Sequence, residues 1–289
     1  MEWLIPLLVG LGVGIVVGAL GAGGGILSVP ILIYVLGQDP HNATAESLVI
    51  VGVTAAVSLI QRALKNPQQI RWGEGISFAA IGVIGTVAGS LLNPLVPQAW
   101  LLTTFAALLL AVGLLMLRKA RQTRHREAAE ATRVSQPDEP VVDHPEPDTT
   151  HATGPQPGLR GLLSDPRQLV VLVAAASVTG FLTGFFGVGG GFAVVPALTL
   201  ALGFSMRHAT GTSLLVMVIT TAVALLARIG QPVEINWLLV GLFTLGSMVG
   251  GLLGGPLAQR ARPSTLTIVF GGLLFTVAVW TGVQTWLLG

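Results

Sequence analysis

The chain has 289 residues, 52% of them hydrophobic and only 10% charged, against about 25% charged in an ordinary soluble domain. Its net charge of +2 and pI near 9.7 come from basic residues in short clusters beside apolar runs, a pattern of membrane topology and not of a nucleic-acid footprint. No cysteine is present, which excludes disulfides, zinc–thiolate and iron–sulfur sites and cysteine nucleophiles.

Apolar runs fall at about 3–20, 26–37, 43–61, 75–96 and 98–117, and again at about 168–186, 192–203, 209–227, 236–256 and 264–288. Most can cross a hydrocarbon core of about 30 Å. An all-α polytopic membrane protein is expected. The first run has no Lys or Arg before it, and its counterpart at 168–186 lies mid-chain. It therefore reads as a retained membrane helix and not as a signal peptide.

Next comes Gly21-Ala22-Gly23-Gly24-Gly25, which opens the stretch GAGGGILSVPILIYVLGQDPHNATAESL. The same text returns from Gly187 as GVGGGFAVVPALTLALGFSMRHATGTSL. Gly21 matches Gly187, Pro30 matches Pro196, Thr44 matches Thr210 and Ser47 matches Ser213, always 166 residues apart. A duplicated half-molecule explains the register. Each half holds about four long helices and one short segment, 26–37 or 192–203, that begins at the glycines and carries a proline. Twelve helical residues reach only about 18 Å. Short Gly/Pro-interrupted segments at matching places in two halves point to a transporter's binding site.

The glycine clusters lack P-loop spacing and a following Lys-Ser/Thr, so they do not read as nucleotide sites. Close packing with a helix break is one reading. The other takes Gly21, Gly23, Gly24 and Gly25, with Gly187, Gly189, Gly190 and Gly191, as unwound backbone lining a cavity, whose N–H groups suit an anion. The polar turns that follow offer Thr44 and Ser47 in one copy and Thr210, Thr212 and Ser213 in the other. They serve as loop residues and N-caps, or their hydroxyls coordinate an oxyanion while His41, Glu46, Arg207 or His208 relays protons or anions. Arg62 and Arg228 stand at equivalent helix ends and read as interfacial anchors. Glycines four apart (Gly10, Gly14 and Gly18; Gly85 and Gly89; Gly246, Gly250 and Gly254) read as close helix packing.

Residues 118–166 differ in kind: basic from Arg118 to Arg133, then acidic and proline-rich. The expectation is a disordered cytoplasmic linker between membrane halves at 1–117 and 167–289. Its His125, His144 and His151 lack metal-ligand spacing, and neither a metal nor a cofactor is expected. If each short segment counts as a crossing, the halves are inverted and most basic clusters lie inside, as positive-inside counting favours. No HExxH, GxSxG or paired-carboxylate motif appears, so an enzyme is not expected.

The paired GxGGG…VPxL…G…AT-x-x-SL text, carried by both membrane halves and not by the linker, resembles the sulfite exporter TauE/SafE family of bacterial anion permeases. The resemblance implies a multi-pass protein of the cytoplasmic membrane that moves sulfite, sulfonates or related sulfur anions, with the residues matching the motifs, Pro30 and Pro196 among them, as the substrate site. Similar proteins usually have a shorter central loop. The resulting expectation is a secondary transporter that exports small sulfur-containing oxyanions by alternating access, one half rocking against the other around a midplane site. Its partners are the anion, lipid and possible protons, not nucleic acid. A membrane scaffold or assembly factor, or an anion channel, is the alternative. The sequence does not set oligomeric state.

Overall fold

Ten helices follow one another without an intervening strand among the described residues. A computed structural model describes residues 4–20, 25–134, 166–231, 233–260 and 263–285. The helices are α1 (Leu4–Leu20), α2 (Gly25–Tyr34), α3 (Pro40–Lys65), α4 (Trp72–Leu92), α5 (Gln98–Val134), α6 (Pro166–Phe186), α7 (Gly191–Pro196), α8 (Met206–Ala227), α9 (Trp237–Arg260) and α10 (Pro263–Val283). Seven of the described helices are long and apolar enough to cross a membrane, while α1 and the segment Gly191–Ala201 are shorter. The protein is an all-α polytopic membrane protein. Its outer surface fits that environment: Leu64, Ile84, Leu95 and Ile229 are exposed where a water-soluble protein would place polar side chains.

Local chemistry sets the helix ends. Asp39 caps α3, its carboxylate accepting from the His41 N–H at 2.9 Å, with Pro40 in the first turn. Ser205 caps α8 by accepting from the His208 N–H at 3.4 Å. These two residues, not Thr44 or Thr210, are the N-caps. Both short segments carry a proline that cannot donate a backbone N–H: Pro30 lies inside α2, which runs on to Tyr34, and Pro196 is the last residue of α7. Past Pro196 the chain loosens into a π-helical turn at Ala197–Ala201, a local widening that often marks functional sites. At the other extreme α5 continues through 118–134, where Lys, Arg, Gln, Ala and Glu are all good helix formers. The expected linker therefore begins within a helix, and its remainder, 135–165, lies outside the described residues together with His144 and His151.

The packing crosses between the halves. Gly10, Gly14 and Gly18 of α1 lie against the backbone at Phe243, Ser247 and Gly251 of α9, so the two helices run parallel. Gly246, Gly250 and Gly254 answer from α9 against Leu7, Leu11 and Ile15. The same arrangement joins α4 to α6, where Gly85 and Gly89 meet Ser177 and Phe181, and Gly180 and Gly184 meet Gly82 and Thr86. Absent side chains let these backbones approach as transmembrane helices rich in small residues do.

At the centre α3 and α8 run antiparallel: Thr44 meets Arg228, Gly52 meets Thr221 and Arg62 meets Thr210. Gly251 lies beside Thr54 and Ser58, and Gly255 beside Gln61, so α9 runs parallel to α3 and hence α1 does too. Likewise Gly75 of α4 meets Thr212 and Leu215, and Gln231 reaches Ser90, so α4, α6 and α8 share one direction. Within each half the first and third helices point the same way. The short segment between them must turn the chain back.

Candidate functional site

The second glycine cluster is an unwound turn. Gly187, Gly189 and Gly190 have φ of 65°, 69° and 71°, the left-handed region that side chains with a Cβ avoid. Space forbids a side chain as well. A Cβ at Gly187 would collide with Thr44, one at Gly189 with Val51 and one at Gly190 with the Thr183 hydroxyl. Every residue from Gly187 to Pro196 is buried, as irregular backbone at membrane depth must be. The turn of the C-terminal half thus rests on α3 of the N-terminal half. In the first cluster Gly21, Gly23 and Gly24 lie outside the described residues, and Gly25 begins α2, which contains Pro30.

The polar residues expected after each short segment are not loop residues. Thr44, Glu46 and Ser47 on α3 and Thr210, Thr212 and Ser213 on α8 are all buried within helices. The Ser213 hydroxyl donates to the Thr210 carbonyl at 3.0 Å, while the Ser47 hydroxyl is buried without a partner. Glu46 and Thr212, at matching positions, fasten matching connections. Glu46 Oε1 accepts from the Asn236 N–H at 2.9 Å, ahead of α9, and Thr212 Oγ1 accepts from the Arg71 N–H at 3.1 Å, ahead of α4. The second oxygen of Glu46, Oε2, has no partner. His41 and His208 stand at helix starts and turn to local partners: Nδ1 of His41 lies 3.4 Å from Asn93 Oδ1, and Nδ1 of His208 lies 2.9 Å from Ser205 Oγ. Arg207, next to His208, is exposed.

Arg62 and Arg228 are the residues whose role the sequence reading missed. Each is 6% exposed, so neither side chain snorkels to an interface. Arg228 Nη1 donates to Thr44 Oγ1 at 2.8 Å and Nη2 to the Gly184 carbonyl at 3.0 Å. Arg62 Nη1 donates to Thr210 Oγ1 at 3.0 Å and Nη2 to the Gly18 carbonyl at 3.5 Å. All six residues match in pairs 166 apart: 18 with 184, 44 with 210, 62 with 228. Each guanidinium therefore takes a hydroxyl from the opposite half and a carbonyl from its own. The hydroxyls can accept because their protons already go to helix carbonyls, Thr44 to His41 at 2.7 Å and Thr210 to Arg207 at 3.0 Å. No carboxylate among the described residues pairs with either arginine, and Arg228 Nε is buried without an acceptor.

The candidate residues do not converge on one point. Eighteen residues of α3 separate Thr44 from Arg62, about 27 Å of helix, so the two arginine contacts occupy opposite ends of the α3–α8 pair. Thr44 comes together with Gly187 and Arg228, and Thr210 with Arg62. A signal for the arginines was present in the sequence: a basic residue near the end of an apolar run, repeated at the same register.

A buried, cross-braced helical core with unwound backbone and charged groups inside it defines a multi-pass membrane transporter. The comparisons agree. The family profile described as "Sulfite exporter TauE/SafE" matches residues 6–281, and the chain belongs to that family. It is similar to a "Probable membrane transporter protein" of Xylella fastidiosa strain Temecula1, 34% identical over 95% of this chain and 92% of the relative. The "Probable membrane transporter protein YunE" of Bacillus subtilis strain 168 is 25% identical over 96% of each. "Probable membrane transporter protein MJ0441" of Methanocaldococcus jannaschii is 23% identical over 94% of this chain and 92% of the relative. No solved structure matches the chain.

Proposed function

We propose that the protein is a secondary transporter that exports small sulfur-containing oxyanions, such as sulfite or an organosulfonate, by alternating access. The observation that carries this reading is the pair of buried arginines whose partners are all neutral. A charge at membrane depth is costly and marks a substrate or ion pathway. Here the missing counter-charge is negative, and an anionic substrate supplies it. Arg suits an oxyanion because its planar fork donates two parallel hydrogen bonds. Inverted halves support alternation: α3 and α8, which carry the matching text, run antiparallel, and their arginine contacts face opposite ends of the pair. Exchanging the two halves' conformations then exchanges the open side. For an exported anion the inside-negative potential already contributes about 2.3 kcal/mol per charge per 100 mV, so coupling to protons is not required.

The test is radiolabelled sulfite flux in proteoliposomes. Arg62→Gln and Arg228→Gln each keep a polar side chain and remove the charge. A lost charged hydrogen bond costs about 1.5–3 kcal/mol, so each variant should lower flux at subsaturating sulfite by about tenfold or more. Wild-type flux from both variants in folded, inserted protein overturns the reading.

A further inference from the structure

The two arginine ends are not alike. Beside Arg62 the seam between α3 and α9 leaves a narrow crevice lined by Ser58, Gln61, Arg62 and Lys65, between Gly18 and Gly255. Its free volume of about 10 Å³ is roughly that of one water. Ser58 is 3% exposed, and its hydroxyl is buried with no partner. Lys65 brings a second cation to the mouth. At the other end the matching positions are Ala224 for Ser58, Ala227 for Gln61 and Gln231 for Lys65. Arg228 stands there as the single cation of the set, and Gln231 is already engaged, its amide donating to the Ser90 and Ala227 carbonyls at 3.4 and 3.5 Å.

We propose that the Arg62 crevice is a binding site for a compact oxyanion, held by the Arg62 guanidinium, the Lys65 ammonium and the Ser58 hydroxyl, and that the Arg228 end is its weaker counterpart. This deepens the transporter reading above and rests on it. Two cations and a free hydroxyl donor favour an anion with several acceptor oxygens and a high charge density. Among such anions one of sulfite or sulfate size asks for the least widening of the crevice. Even such an ion is larger than a water, so loading requires α9 to part from α3 along the line where Gly251 meets Ser58 and Gly255 meets Gln61, and to release the 2.8 Å hydrogen bond from the Gln61 amide to the Leu252 carbonyl. Unequal affinity at the two ends gives the transporter a loading side and a release side.

The experiment is calorimetric titration of the purified full chain with sulfite, and with sulfate as a stable analogue. Lys65 is exposed, so Lys65→Gln should fold normally. It should weaken binding by about tenfold, the effect of one charged hydrogen bond. Ser58→Ala in the same background should weaken it further, and Ala224→Ser with Gln231→Lys should strengthen binding by building the same set at the other end. Wild-type affinity in Lys65→Gln together with no gain in the Ala224→Ser/Gln231→Lys protein overturns the crevice while leaving an anion transporter intact. Absence of any sulfite or sulfate binding by the wild type overturns the anion reading itself.

Discussion

Arg228 shows what a single buried side chain asks of its surroundings. Its guanidinium keeps its charge in a protein interior, and only two of its donor groups reach acceptors, Thr44 Oγ1 and the Gly184 carbonyl. Thr44→Val preserves the shape of the residue and removes the acceptor, stranding a buried charged donor. The expected loss is about 1–3 kcal/mol, read as a lower thermal midpoint in detergent, and Thr44→Ser should restore it. Thr210→Val should act the same way through Arg62. A double-mutant cycle between Thr44 and Arg228 separates the contact from general damage, since residues in direct contact couple by about 0.5–3 kcal/mol. Additive losses would mean that the hydrogen bond contributes nothing.

At the level of the helix, the glycines of α1 have opposite jobs within one turn of each other. A Cβ at Gly14 would overlap the backbone of Ser247, whereas one at Gly12 meets nothing within 4 Å. Gly14→Ala should destabilise the protein by about 1–3 kcal/mol or prevent assembly of α1 on α9, the cost of overpacking. Gly12→Ala should be neutral or stabilising by up to about 1 kcal/mol, because it removes a flexible residue from a helix interior. Equal thermal midpoints for the two variants would refute the assigned contact. Much of this was legible in the sequence. The four-residue spacing of Gly10, Gly14 and Gly18 announces a close approach, and the matched Pro30 and Pro196 announce short broken segments, because both are local features of the chain. What was not legible is which helix receives the glycines. Nothing local to α1 names α9, more than 200 residues away. The arginines were misread for the same reason. At a helix end the default for a long cation is to reach for water, and only the opposite half supplies the hydroxyl that makes burial tolerable. Thr44 and Thr210 stand out in the sequence as a matched polar pair, yet their arginine partners lie beyond any window of sequence.

The whole molecule is braced between its N-terminal and C-terminal helices, and that constrains how it can move. Two halves that rock as units would have to slide α1 along α9 and α4 along α6, although backbone meets backbone at Gly10, Gly14, Gly18, Gly85 and Gly89. Such seams repack between discrete arrangements and do not deform continuously. Between α9 and α3 the contact is made through side chains instead, Gln61 lying beside Gly255 and donating to the Leu252 carbonyl at 2.8 Å, with the crevice at Arg62 next to it. We therefore predict that mixed pairs move as bodies, α1 with α9 and α4 with α6, each drawn from both halves. Because the natural chain has no cysteine, spin labels attach only where cysteines are introduced. Leu8 on α1, Leu245 on α9 and Ile84 on α4 are all exposed and should accept labels without loss of fold. If the pairs move as bodies, the Leu8–Leu245 distance stays fixed when sulfite is added, although it spans the two halves. The Leu8–Ile84 distance, within one half, should shift or broaden. Rocking of half against half gives the reverse: a constant Leu8–Ile84 distance and a changing Leu8–Leu245 distance. Double electron–electron resonance on the two labelled proteins, with and without sulfite, decides between them, since each mechanism holds fixed the distance that the other must change.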